Sequence, residues 1–203
     1  MKRHWKSQSD EDRRTRILSA AQEVFSLHGF RDAEVKQIAE RAGVGKATIY
    51  KFFESKEALL LVVVEENLAR MRDLALSSLV GSSGDPLDRL ENASRALARY
   101  ISVNQELVRV LIQEAGEFAG DIQRSYLDTI DQNLPIAEAF FESFRKEGHF
   151  VNVDTRTIVM TMVSLMIGAV YTWALTDNKT NLEDCAIAYF NLLVSGIAPN
   201  RKV

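Results

Sequence analysis

Apolar residues recur at intervals of three and four along the 203-residue chain, and almost nowhere do they alternate with polar ones. That period belongs to helices with one buried face, so the pattern predicts an all-α protein of about nine helices. Acids at 10 to 12 and Ser9 start a first helix near Asp10; Ile17, Leu18, Ala21, Val24 and Phe25 share its face, and "HGF" at 28 to 30 stops it. Val35, Ile38, Ala39 and Ala42 fall at i, i+3, i+4 and i+7 of a short second helix ending at Gly43. A third, from about Lys46 to Phe53, turns Ile49 and Phe53 inward. Ser55 is the expected N-cap of a fourth, which runs to about Leu79 with Glu66 and Arg70 spaced as an i, i+4 pair. Its opening, "LLLVVV", is apolar all round and must be covered on every side. After the loop "VGSSGDP" at 80 to 86, helices follow over 87–103, 105–118, 121–147, 154–176 and 181–197, with a kink expected at Pro135.

The third helix is unusual for its length. It leaves Lys46, Ala47, Thr48, Tyr50 and Lys51 largely outside, a face of cations, hydroxyls and an aromatic ring. The preceding "GVGK" imitates a nucleotide-binding loop, but that motif needs a glycine where Glu40 stands and a hydroxyl where Ala47 stands. What remains is a tight turn between two short helices, the second pointing its N-terminus outward, which is the helix-turn-helix plan for a DNA major groove.

Charge sharpens this picture once it is divided. Residues 1–56 hold twelve Lys and Arg against eight Asp and Glu, a net +4; residues 57–203 hold thirteen against twenty, −7; the whole is −3. A basic head of 1–56 on an acidic body of 57–203 is the expected domain division, with the head meeting nucleic acid. The lone Cys185 among apolar residues and the charged N-terminus "MKRHWK", without an apolar leader, fit a cytoplasmic protein. That arm is expected to be disordered, the other reading being insertion into a minor groove. Thr157 to Leu175 is uncharged and long enough to cross a membrane, yet it stands alone and contains Thr, Ser and Gly. A helix covered by its own domain on one side and a partner on the other reads the same way, and no membrane contact is expected.

"VKQIAERAGVGKATIYKFFESKEALL" resembles the DNA-binding signature of the TetR family of bacterial transcriptional regulators, over about Ile17 to Leu60. The resemblance rests on Gly29-Phe30, Ile38-Ala39, Ala42-Gly43-Val44, Thr48, Tyr50, Phe53 and Lys56 to Leu59. It implies that Tyr50 and Lys56 reach phosphates, that Thr48 offers a hydroxyl, and that Lys46 and Ala47 face base edges. Lys51 would face the backbone or groove, and Lys36 a base or phosphate. Gly45 stands where the family usually has a capping Ser or Thr; its N–H can still meet a phosphate. Ala33 replaces a capping Thr, so Asp32 is expected to take over the cap, and Phe52 replaces a polar phosphate contact. Past residue 60 the likeness is one of layout, and "VYTWALTDNKTNLED" through "LLVSGI" is similar to members that respond to fatty acyl-CoA.

One recognition helix reads too few bases, so a homodimer is expected, with half-sites about one helical turn, ~34–36 Å, or a multiple apart. Ile158, Met162, Leu165, Ala169 and Trp173 on the penultimate helix, and Ala186, Tyr189, Leu193 and Gly196 on the last, are the expected stripes of a four-helix interface. Ser164 and Gly168 would let helices approach closely. The resemblance implies a ligand-released repressor of double-stranded DNA whose inducer is a small hydrophobic molecule, either an acyl thioester or a drug-like compound. No cofactor or metal is expected. Glu114, Glu117, Asn104, Tyr126, Asn133, Tyr171 and Trp173 are polar groups on helices that should line the body, and none is assigned. His4, His28, His149 and Cys185 assemble into no catalytic pattern, so an enzyme is not expected. The alternative is a helical adaptor that binds only proteins.

Overall fold

The computed structural model describes residues 2–80, 85–105, 108, 110, 119–146, 153–176 and 181–197. Their regular structure is helical throughout: α1 (Lys2–Asp32), α2 (Val35–Ala42), α3 (Lys46–Phe52), α4 (Lys56–Val80), α5 (Pro86–Val103), α6 (Ala119–Arg145), α7 (Thr155–Leu175) and α8 (Leu182–Ile197). Most of the helix expected over 105–118, with Glu114 and Glu117, lies outside the described residues, as do 81–84 and His149. The chain divides into two compact units, Met1–Asn67 with Glu106–Ser125, and Leu68–Gln105 with Tyr126–Val203.

In the first unit, α1 begins at Lys2, eight residues before the expected start. Residues 2–14 contain no Gly, Pro or β-branched side chain, so nothing local stops a helix there, and Ser9 lies inside α1 instead of capping it. At the other end Gly29 breaks the helix with φ 72° and ψ 171°, a conformation essentially restricted to glycine. Ile17, Val24, Phe25, Ile38, Ile49 and Phe53, from α1, α2 and the α3 end, are buried together with Leu59, Leu60 and Val63 of α4. Ser55 caps α4, its Oγ accepting from the Ala58 N–H at 3.1 Å. Two polar ties then fasten α4 to α1. Glu66 pairs with Arg14 at 3.2 Å, a partner 52 residues away that helix spacing with Arg70 could not indicate. Asn67, 6% exposed, donates to the Val63 carbonyl at 2.8 Å and to Gln22 Oε1 at 3.2 Å.

The second unit packs Leu87, Leu90, Phe140, Phe141, Ile158, Phe190 and Val194 into one core from α5, α6, α7 and α8. Asp85 caps α5 by accepting from the Leu87 N–H at 2.8 Å, and Asp154 caps α7 by accepting from the Thr157 N–H at 2.7 Å. Glu183 of α8 receives Arg95 at 3.1 Å and Arg99 at 2.8 Å from α5. Those guanidiniums, Arg99 foremost, hold its carboxyl below the usual carboxylate range. α6 passes through Pro135 as one helix, without the hydrogen bond the ring nitrogen cannot donate.

Candidate nucleic-acid interface

The turn between α2 and α3 is built by two glycines with different tasks. Gly43, at φ 64°, ends α2 in the left-handed region, its N–H and that of Val44 closing onto the Glu40 and Ala39 carbonyls at 3.2 and 3.0 Å. Gly45, at φ −76° and ψ 149°, is the N-cap of α3, with its carbonyl accepting from Thr48 N–H at 2.8 Å. Ile49 at 1% and Phe53 at 4% exposure anchor α3 from below. That anchoring fixes which side faces out: Lys46, Ala47, Tyr50 and Lys51 are exposed and Thr48 is half-buried. Lys46 Nζ lies 6.0 Å from the centre of the Tyr50 ring, one helical turn on, so the cation and the phenol are presented as a pair.

A shallow groove of about 470 Å³ runs beside this face, lined by Lys36, Lys46, Lys56 and Tyr50 together with Glu34, Glu54 and Glu57. Three cations therefore meet three carboxylates. Lys36 leans on Glu40 at 3.9 Å on the surface, leaving it free to rearrange. Lys56 is engaged differently. Its Nζ donates to the carbonyls of Phe30 at 2.8 Å, Ala33 at 3.1 Å and Arg31 at 3.3 Å, and sits 4.5 Å from the Phe30 ring centre. An ammonium has three hydrogens, and here all have acceptors. Its ammonium is thus occupied inside the first unit.

Residues 17–63 match the "Bacterial regulatory proteins, tetR family" domain, and residues 83–197 match the "Tetracyclin repressor-like, C-terminal domain". The chain belongs to the TetR family. The "Fatty acid metabolism regulator protein" of Bacillus subtilis is 26% identical over 191 residues, 89% of this chain and 93% of that one. The fold is similar to that of the fatty acid degradation regulator FadR from Bacillus halodurans, with TM-score 0.76 and 23% identity over 91% of this chain and 95% of that one. It is also similar to FadR from Bacillus subtilis, determined in complex with stearoyl-CoA, with TM-score 0.72 and 22% identity over 90% of this chain and 98% of that one. These TetR relatives are regulators of transcription and not enzymes.

Against the TetR pattern, the cap of α2 moves by one residue. Neither Ala33 nor Asp32 fills it; Glu34 is the N-cap, and its N–H donates to Gln37 Oε1 at 2.9 Å. Ala33, 3% exposed, supplies instead a carbonyl to Lys56. An ideal Cβ on Gly45 would come no closer than 3.9 Å to Thr48 Oγ1, so this position has room for the family's hydroxyl. Phe52 is half-buried beside Phe53, with the Lys51 ammonium 5.9 Å from its ring centre.

The residues of the two expected dimer stripes differ in exposure. Ile158, Ala169, Trp173 and Ala186 are 1 to 4% exposed, buried in their own subunit, and Met162, Leu165, Tyr189 and Leu193 are half-buried, with Met162 and Leu193 against the core. The outward face of α7 is Ser164, Ile167, Gly168 and Tyr171, at i, i+3, i+4 and i+7; on α8 it is Ala188, Leu192, Ser195 and Gly196. Ile167, Tyr171 and Leu192 are 54, 51 and 73% exposed, and a Cβ on Gly168 or Gly196 would meet nothing within 4 Å. α7 is long and apolar enough to cross a membrane by length and composition. Of the unassigned polar groups, Asn104 and Asn133 donate to the Tyr100 and Thr129 carbonyls of their own helices, both at 2.7 Å. Tyr171 is exposed, and the side chain of Tyr126 lies outside the described residues.

Proposed function

We propose that this TetR-family protein is a cytoplasmic repressor that binds a pseudo-palindromic operator as a homodimer and is released by a small hydrophobic ligand. The observation that carries it is the outward face of α3: Lys46, Ala47, Tyr50 and Lys51 held by the buried Ile49 and Phe53. A helix N-terminus opening on Gly45 N–H, with a lysine and a methyl group behind it, suits guanine and thymine edges in a major groove. Thr48 and Tyr50 supply hydroxyls for phosphates, Lys51 faces the backbone or groove, and Lys36 extends the contact from α2. In this reading residues 1–56 are the DNA-binding head and residues 57–203 the ligand-binding and dimerisation body.

Pairing through the exposed Ile167, Tyr171 and Leu192 face would set two such helices on successive major grooves. The relatives named for fatty acid regulation, one holding stearoyl-CoA, support an acyl thioester as the released ligand. Release follows if the ligand favours a body conformation in which the two heads no longer match the groove spacing.

The test is fluorescence anisotropy of the purified protein on DNA upstream of its own gene, at 50 and 200 mM salt with scrambled competitor. Saturable binding that survives the competitor and weakens by ~10³-fold or more across that range supports the proposal for about eight phosphate contacts. Stearoyl-CoA should then release the DNA. Absence of binding here and in a random-sequence selection, from a folded dimer, would favour a protein-binding adaptor.

A further inference from the structure

Lys56 is the first residue of α4, yet its side chain turns back to the junction between α1 and α2. There the chain has just broken at Gly29, α1 ends at Asp32, and α2 starts at Val35. Three carbonyls of this junction, on Phe30, Arg31 and Ala33, converge on one nitrogen at 2.8 to 3.3 Å. Phe30 and Ala33 are 6 and 3% exposed, and the Phe30 ring covers the ammonium from a further side. Swinging the ammonium out to a phosphate would remove the acceptors' donor in a partly closed site, which opposes the exchange.

We infer that Lys56 is a positioning residue for DNA recognition: it fixes the α1–α2 turn, thereby the orientation of α2, and through α2 that of the recognition helix α3. The inference rests on the DNA-binding reading above. It separates Lys56 from Lys46 and Lys36, which line the same groove but make no such convergent contacts. It also demands an ammonium specifically. A guanidinium keeps the charge but is a planar fork that cannot direct three hydrogens from one atom at three oxygens, whereas at a phosphate it serves as well as lysine or better.

The experiment compares wild type, Lys56→Arg and Lys56→Met in operator affinity, affinity for scrambled DNA, salt slope and amide hydrogen exchange, at a temperature where each variant is folded. For Lys56→Arg the specific-over-scrambled ratio should fall about tenfold or more, comparable to one mismatched base pair, with the salt slope unchanged. Amides of residues 35–42 should exchange faster than in wild type. The inference is overturned if Lys56→Arg binds like wild type while Lys56→Met flattens the salt slope by about two per dimer, the mark of a lost phosphate contact in each subunit. It is equally overturned if melting temperature falls but the specificity ratio holds, since that is a structural role alone. Should Lys56→Met fail to fold, Lys56→Arg decides. Should wild type bind no DNA, the proposed function fails, and exchange over 35–42 in Lys56→Arg still tests the turn: unchanged exchange refutes it.

Discussion

Leu192→Glu tests the proposed dimer face. Leu192 is 73% exposed on the outer side of α8, so in an isolated subunit the substitution removes almost no packing and should change stability by no more than about 0.5 kcal/mol. In a dimer that buries this face the outcome differs. Fully burying a leucine contributes roughly 1.5–3 kcal/mol, of which about three quarters is still to be gained here, or ~1–2 kcal/mol. A two-fold interface contains the residue twice, giving ~2–4 kcal/mol before the desolvation and mutual repulsion of two carboxylates are counted. The dimer dissociation constant should therefore rise by ~30-fold to 1,000-fold or more. Sedimentation velocity over a concentration series reads this directly, with circular dichroism verifying that the subunit is folded. A folded Leu192→Glu with the dissociation constant of wild type would refute the assignment of this face.

Other outcomes follow from the head and the body. Lys46→Ala should relax base preference at one position per half-site by ~1–3 kcal/mol in a competition assay against single-base operator variants; an unchanged preference would move Lys46 off the bases. Gly45→Ser should fit without strain, gain a few tenths of a kcal/mol as a cap, and tighten operator binding through one added hydroxyl per subunit, as measured by anisotropy. Glu54→Gln removes one groove carboxylate, and repulsion between charges roughly 7 Å apart in water is ~0.6 kcal/mol, so affinity should rise about threefold per subunit, most at low salt. Glu183→Gln should lower the melting temperature at neutral pH. Because Arg99 and Arg95 depress the Glu183 carboxyl in the folded state, its contribution is whole above the unfolded value near ~4.3 and is lost as pH falls through the lower folded value; the gap between wild type and variant should close only there.

The head was legible because its signals are local. Val35, Ile38, Ala39 and Ala42 show one face of a helix, Gly43 shows where it stops, and Ile49 and Phe53 then leave only one way for α3 to point. Which side of α7 is exposed was not, because α7 is apolar on all sides and offers no amphipathic contrast to orient it. Exposure, not hydrophobicity, separates Ile167 and Tyr171 from Ile158 and Trp173. Ser164 and Gly168, small residues at i, i+4, lie on the exposed side. The contacts of Lys56, Asn67 and Glu66 were not legible for a different reason. Their partners are 23 to 52 residues away, and no pattern within a helix contains them.

These long-range ties bear on how charge in the head should be counted. The net +4 of residues 1–56 treats every cation as equally available to DNA. Lys56 is occupied by carbonyls, Arg14 by Glu66, and Arg41 by Glu23 at 2.9 Å. The groove beside α3 adds three carboxylates to its three lysines, so the field there is weaker than the head's net charge suggests. A head with so modest a local field gains less from non-specific attraction to phosphates and depends more on the fit of α3. On that argument the orientation of α3 matters more than the number of basic residues around it, and a lysine that sets the orientation can matter more than one that adds a contact.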